Sequence, residues 1–385
     1  MSLGIYVHIP FCVRKCPYCD FTSYVVPADE TARLAEQERY VRLLLEEAAL
    51  YQWDKGPVPL SHESLYLGGG TPTCLAGGQL FHLLQSLQQM FVFLPDAEIT
   101  AEANPGTVDR EKLERLKEGG VNRLSIGIQS FSVGELQALG RIHSPQDVSL
   151  ACRLARQAGF TNISLDLMYG LPGQTIKDWK KNLQAAVALS PEHLSLYQLH
   201  IEEGTPFFMR RQKGELQEAA EETARRMVEE TIEYLTRQGY HHYEISNFAQ
   251  PGRMSRHNTL YWQNREYIGL GAGASGYLQG VRYTNEADLA VYADKVSQGR
   301  RPTAGEEAID QRLAMAEQMF LGLRLLEGVN KEIFRQKFGQ SLESVYGETL
   351  QKLYADGLLE KTPAQVKLTK KGLFLANVVF MEFLP

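Results

Sequence analysis

Near its start the chain reads Gly4-Ile5-Tyr6-Val7-His8-Ile9-Pro10-Phe11-Cys12-Val13-Arg14-Lys15-Cys16-Pro17-Tyr18-Cys19-Asp20-Phe21. Residues 4–9 have strand character, and three cysteines follow at once with the spacing Cys12-x3-Cys16-x2-Cys19. Cysteine thiolates are the usual ligands of iron–sulfur clusters. Three of them within eight residues let one loop wrap one face of a cubic 4Fe–4S cluster, leaving the fourth iron open to bind something else. The alternatives are a structural zinc site, which normally takes four ligands and closes its shell, or coincidence among buried cysteines. The position after a strand and the flanking Phe11, Tyr18 and Phe21 favour the cluster.

Outward from this loop, short β-rich runs at residues 64–67, 98–103, 123–128, 163–168 and 193–199 alternate with helical patterns at 31–51, 79–90, 145–158 and 175–189. Such alternation implies a parallel sheet or barrel. About six units fall short of the eight that close a barrel, so the expected fold is α/β, a partial, open (β/α)6 barrel. Each strand is followed by a distinctive cluster: the cysteines, Gly68-Gly69-Gly70-Thr71-Pro72, Glu102-Ala103-Asn104-Pro105, Gln129-Ser130-Phe131 and Tyr169-Gly170-Leu171-Pro172-Gly173. Ligand sites of α/β folds lie at the carboxyl ends of strands, so one large site is expected there. The glycine run suits close backbone approach to a ligand, although alone it is an ordinary turn. Glu102 ends an apolar strand, where a carboxylate needs a partner against desolvation: a ligand hydroxyl or amine, or a basic side chain.

Beyond residue 205 the texture changes. Residues 214–239 form a helical pattern rich in Glu and Arg, and 240–283 read as short aromatic, glycine-rich strands with turns. From 306 onward helices precede a Gly357-Leu358-Leu359-Glu360 turn, a strand at 365–368 and a last helix, the order of a winged helix. The expected division is residues 1–205, an α+β extension at 206–300 and a winged-helix-like unit at 301–385. That unit lacks a dense basic recognition helix, and a net charge of -6 over 385 residues offers no field for nucleic acid. No basic region precedes the first apolar stretch, and 373–384 is short and interrupted by Asn377 and Glu382. A cytoplasmic location is expected. Five cysteines, an odd number, argue against a disulfide framework.

The cysteine spacing, with Tyr18 between the last two thiols, resembles the signature of the radical S-adenosylmethionine superfamily. Within it, His8-Ile9-Pro10-Phe11, Ile128-Gln129-Ser130-Phe131, Leu139-Gly140-Arg141 and Asp166-Leu167-Met168-Tyr169-Gly170-Leu171-Pro172 resemble the coproporphyrinogen dehydrogenase branch. The resemblance implies a 4Fe–4S cluster on Cys12, Cys16 and Cys19, with S-adenosylmethionine bound to its open iron. It implies that Tyr6, Tyr18, Gly70 and Glu102 surround that molecule, and that Thr71, Gln129, Arg141 and Asp166 line the neighbouring region.

The porphyrinogen-oxidising members carry a fourth cysteine two residues after the third, where this chain has Phe21. That departure matches the branch's heme chaperones, whose resemblance covers nearly the whole chain. His257-Asn258-Thr259-Leu260-Tyr261-Trp262 resembles a His-Asn-x-x-Tyr-Trp motif linked with heme in that group. His257 is thus either a heme-iron ligand or a structural histidine among core aromatics. His62, His82, His193, His200, His241 and His242 have no partner spacing; His8, just before the loop, is placed to hydrogen-bond near the cluster, and His143 reads as structural or solvent-facing. The implied function is heme binding and delivery to an acceptor protein; the alternative is an oxygen-independent coproporphyrinogen III oxidase. An electron donor such as flavodoxin or ferredoxin, a monomer or dimer, and contact with a membrane surface are compatible with both.

Overall fold

The computed structural model describes residues 2–51 and 61–384. Six strands, β1 (Ser2–Ile9), β2 (Ser61–Gly69), β3 (Val92–Ala103), β4 (Arg123–Gln129), β5 (Ile163–Tyr169) and β6 (His193–Gln198), pair in parallel and in chain order. The crossovers carry α1 (Glu30–Ala49), α2 (Gly77–Met90), α3 (Arg110–Glu118), α4 (Pro145–Gln157) and α5 (Ile176–Ala188). Side-chain caps fix the helix starts: Asp29 accepts from the Ala32 amide, and Ser144 and Thr175 form capping boxes with Asp147 and Asp178. α3 buries only Leu113 and Leu116, too few apolar residues to mark it in the sequence.

The strands alternate with period two, and this places the site. One face is apolar (Ile5, Val7 and Ile9; Leu65 and Leu67; Leu124, Ile126 and Ile128; Leu165 and Leu167; Leu194 and Leu196) and packs on helix residues such as Leu44, Leu84, Leu116 and Leu183. The opposite face is polar: Tyr6 and His8; Ser64 and Tyr66; Thr100 and Glu102; Arg123 and Ser125; Ser164 and Asp166; His193 and Ser195. A parallel sheet covered on both faces reads as unbroken apolar runs. The crossover helices cover only one face here, so the other becomes a polar lumen.

The chain continues through α6 (Glu221–Arg237), the antiparallel edge strands β7 (His241–Glu244) and β8 (Asn247–Ala249), and the short helix α7 (Arg256–Trp262). Next come β9 (Tyr267–Leu270), β10 (Ser275–Leu278), β11 (Val281–Asn285) and β12 (Thr303–Ala308). β9 pairs in parallel with the free edge of β1, a seventh parallel strand hidden in a stretch that sequence assigned to the extension. The glycine-rich turn after it is a packing element: a Cβ on Gly271 would come within 2.5 Å of the His8 carbonyl. The sheet has twelve strands in the order β12-β11-β10-β9-β1-β2-β3-β4-β5-β6-β8-β7 and does not close, as an open barrel requires.

The last unit holds α8 (Gln311–Gly322), β13 (Val329–Asn330), α9 (Lys331–Phe338), α10 (Leu342–Ala355), β14 (Leu359–Lys361), β15 (Gln365–Leu368), α11 (Lys370–Phe374) and α12 (Ala376–Met381). It has its own core around Met319, Phe334, Leu350, Val366 and Val379. Among the described residues no helix is long and apolar enough to cross a membrane.

Candidate functional site

The cysteine loop is tied at both ends to the strand tops. Phe11–Cys12 pairs with Tyr24–Val25, and the His8 imidazole Nε2, 2.8 Å from the Thr22 carbonyl, fixes the loop's return. Within the loop Tyr18 leans on Phe207, and the Phe207 amide donates to the Pro17 carbonyl. Gly70 is required by crowding: a Cβ there would lie 2.8 Å from the Phe11 carbonyl and 3.0 Å from Cys12 Sγ. Thr71 Oγ1 sits 3.7 Å from Cys12 Sγ and accepts from Asn104 Nδ2 at 2.8 Å.

Arg141 reaches the loop from beyond β4. Its Nη1 lies 3.6 Å from Cys16 Sγ, while Nη2 donates to the Gly127 carbonyl at 2.6 Å and to Asn104 Oδ1. A cation beside the sulfurs favours an anionic, thiolate-ligated group. Glu102 accepts from Tyr66 OH at 2.8 Å and from the Gly69 amide at 3.2 Å. Burial pushes its carboxyl up to about 7, against the lowering effect of the Tyr66 bond. Asp166 accepts from Ser125 and Ser164, and burial raises it too, opposed first by the buried Arg123. Gln129 holds φ +63 at the end of β4, a backbone region costly for a residue with a side chain.

One cavity of about 410 Å³ gathers the three cysteines with Tyr18, Gly70, Thr71, Glu102, Gln129, Arg141 and Asp166. Two expected contacts stand elsewhere. Tyr6 lies outside the lining; its hydroxyl bonds His8 Nδ1 at 2.9 Å, so it supports the loop from below. His257 is 1% exposed on α7, with Nδ1 2.8 Å from Ser64 Oγ and Nε2 2.7 Å from Tyr261 OH. It stacks on Tyr66, and burial lowers its pKa to about 3. With both nitrogens bonded and no access, it cannot ligate heme iron in this conformation; it has the partners of a structural histidine. The same cavity contains Asn104, from the cluster expected after β3, and Arg123, Ser125, Tyr197 and His200, which were not among the candidates. Period-two polarity along the strands was the available signal for all but Asn104 and His200.

All three motif cysteines are free and half-buried. Burial raises the thiols of Cys12 and Cys19, as for sulfurs that a metal must deprotonate. Among the described residues no three His, Cys, Asp or Glu side chains converge tightly enough for a single ion. A loop giving one thiolate to each of three irons needs no such convergence, so the donor set fits a cluster better than zinc.

A model of the radical SAM superfamily matches residues 6–186, and a model of the HemN C-terminal domain matches residues 309–375. The chain is 40% identical over 383 residues to the heme chaperone HemW of Bacillus subtilis, covering 98% of each. It is 38% identical over 379 residues to HemW of Lactococcus lactis, covering 98% of this chain and 96% of that one. The solved coproporphyrinogen III oxidase (HemN) of Escherichia coli shares the fold, with a TM-score of 0.85 over 99% of this chain and 90% of that one at 24% identity. The fold and the cysteine loop are those of a radical SAM protein carrying a 4Fe–4S cluster and S-adenosylmethionine. Within that superfamily the chain belongs to the HemW family.

Proposed function

We propose that this protein binds heme and passes it to an acceptor protein, with the cluster and S-adenosylmethionine held at the strand ends. Phe21 carries the reading. It occupies the place of the oxidases' fourth cysteine, is 61% exposed at the cavity rim and supplies no ligand. Cys12, Cys16 and Cys19 would hold the cluster; Gly70, Glu102 and Tyr18 would border the bound S-adenosylmethionine, with Thr71, Gln129, Arg141 and Asp166 beside it. The cluster supplies one-electron reduction of the sulfonium when bound; the chain supplies position, a polar floor and Arg141's charge.

The division would be a barrel at residues 1–205, an extension at 206–300 and a last unit at 301–385, whose first strand, β12, pairs with β11 in the main sheet. A cytoplasmic location, a flavodoxin- or ferredoxin-type electron donor and a monomer or dimer complete the reading. The test is anaerobic reconstitution, then incubation with coproporphyrinogen III, S-adenosylmethionine and reductant, with hemin titrated into a parallel sample. Stoichiometric hemin binding without porphyrinogen turnover is expected. Formation of protoporphyrinogen would make the protein an oxidase despite Phe21.

A further inference from the structure

Since His257 is sealed, a heme-binding chain of this fold needs another seat. A groove of about 1080 Å³ lies between the β5–β6 edge, α6 and the helices α11 and α12 of the last unit. Its volume suits a ligand at the large end of small-molecule sites. Tyr169, Tyr197, Phe374, Leu375 and Val378 give it an apolar and aromatic wall, and Leu375, Val378 and Tyr197 are 37%, 51% and 43% exposed. Apolar side chains bared together around a concave surface mark a binding site more often than chance exposure.

The charges suit a planar dianion. Arg225, Arg324, Lys370 and Lys371 face the groove against Glu221 and Glu229. Arg225 is engaged by Glu222 and Glu229, Arg324 lies over the Trp262 ring, and Lys371 donates to the Asp356 carbonyl. Lys370 is exposed and has no hydrogen-bond or ion-pair partner among the described residues, leaving it available for a carboxylate.

His200 decides the chemistry. It is exposed, its imidazole has no hydrogen-bond partner among the described residues, and it lines both the groove and the cysteine cavity, as do Tyr197 and Gln198. A neutral imidazole with an accessible nitrogen is the commonest protein ligand of heme iron. We infer that heme lies in this groove, its propionates toward Lys370 and Lys371 and its iron on His200, next to the cluster chamber. The inference rests on the heme-chaperone reading. An open cleft between the sheet edge and the last unit also suits a carrier, which must release what it holds.

The full-length protein would be titrated with hemin and, separately, with iron-free protoporphyrin IX, following Soret absorbance and porphyrin fluorescence. His200→Ala should lose the histidine-ligated Soret signature and bind hemin roughly tenfold more weakly, a change of about 1.4 kcal/mol, while keeping protoporphyrin. Lys370→Glu with Lys371→Glu should weaken both ligands by roughly three- to tenfold. His82→Ala, an exposed histidine on α2, should change neither. Circular dichroism and cluster reconstitution would establish that each variant is folded. Unchanged hemin spectra and affinity in folded His200→Ala would overturn the groove while leaving the chaperone reading intact. Failure of the parent chain to bind hemin would remove both.

Discussion

The lumen beneath the strand ends and the rim above them are built from the same six strands, yet they treat polar side chains in opposite ways. In the lumen every histidine is saturated. Ser64, His257 and Tyr261 form one buried chain of hydrogen bonds, and Ser164, His193 and Tyr243 form a second, each link 2.7 or 2.8 Å long. On the rim, Cys12, Cys16, Cys19 and His200 border open space, the three thiols are free, and the His200 imidazole has no hydrogen-bond partner among the described residues. A buried polar group left unpaired costs about 1–3 kcal/mol, so most of the lumen is satisfied internally, Thr100 Oγ1 and Arg123 Nε being exceptions. The rim stays unsatisfied because its partners come from outside the chain.

The comparison breaks most visibly at the cysteines. Cys16→Ala should abolish the cluster, read as lost visible absorption and lost iron after reconstitution. The site is a half-buried loop, so unfolding should shift by no more than about 1 kcal/mol. A variant that failed to fold would move the loop into the structural class. In the lumen the order reverses: His257→Ala strips partners from buried Ser64 and Tyr261 and should cost roughly 2–4 kcal/mol in urea unfolding. If the folded fraction of that variant still takes up hemin with the parent spectrum, the histidine is structural.

Glu47 sharpens the same contrast through pH. It is fully buried on α1 and accepts from Tyr292 OH and the Gly271 amide, each at 2.7 Å, and from Asn285 at 2.6 Å. Desolvation nonetheless raises its pKa from 4.5 to about 7. The folded state therefore binds a proton more tightly than the unfolded chain. Its destabilising charge is absent below about pH 4.5 and fully present above about pH 7. Stability should fall across that window by at most about 3 kcal/mol, at 1.36 kcal/mol per pKa unit. Glu47→Gln should flatten the profile, measured as urea midpoint against pH; an unaltered profile would assign the titration to another buried carboxylate, such as Glu244.

The rim was legible in the sequence because its demands fall on consecutive residues. A three-thiol loop, a glycine run at a close approach and a carboxylate at a strand end are local patterns, and six strands with four crossover helices stood where periodicity put them. What was missed depends on neighbours distant in the chain. α3 has too few apolar residues, Leu113 and Leu116 alone being buried, to announce itself, and β9 is parallel because it joins the free edge of β1. His257 sits in a conspicuous motif, but its burial is decided by Ser64, 193 residues away. His200 has no motif at all; its exposure follows from where β6 ends and where the last unit stops short of it.

The smallest expected effect tests how far the rim's chemistry is set by one side chain. Phe21 protrudes beside Cys19 and contributes little packing, so Phe21→Cys should change stability by less than about 0.5 kcal/mol. The substitution restores the fourth thiol of the oxidases, but Asp20 and Phe21 stand on the exposed side of the loop, and Arg141, Asn104 and Gln129 stay in place behind it. Reconstituted Phe21→Cys should bind hemin as the parent does and form no protoporphyrinogen from coproporphyrinogen III. Turnover in this variant alone would mean that the barrel already holds every other element of the oxidase. The separation between carrier and enzyme would then lie in a single rim residue, not in the groove and its histidine.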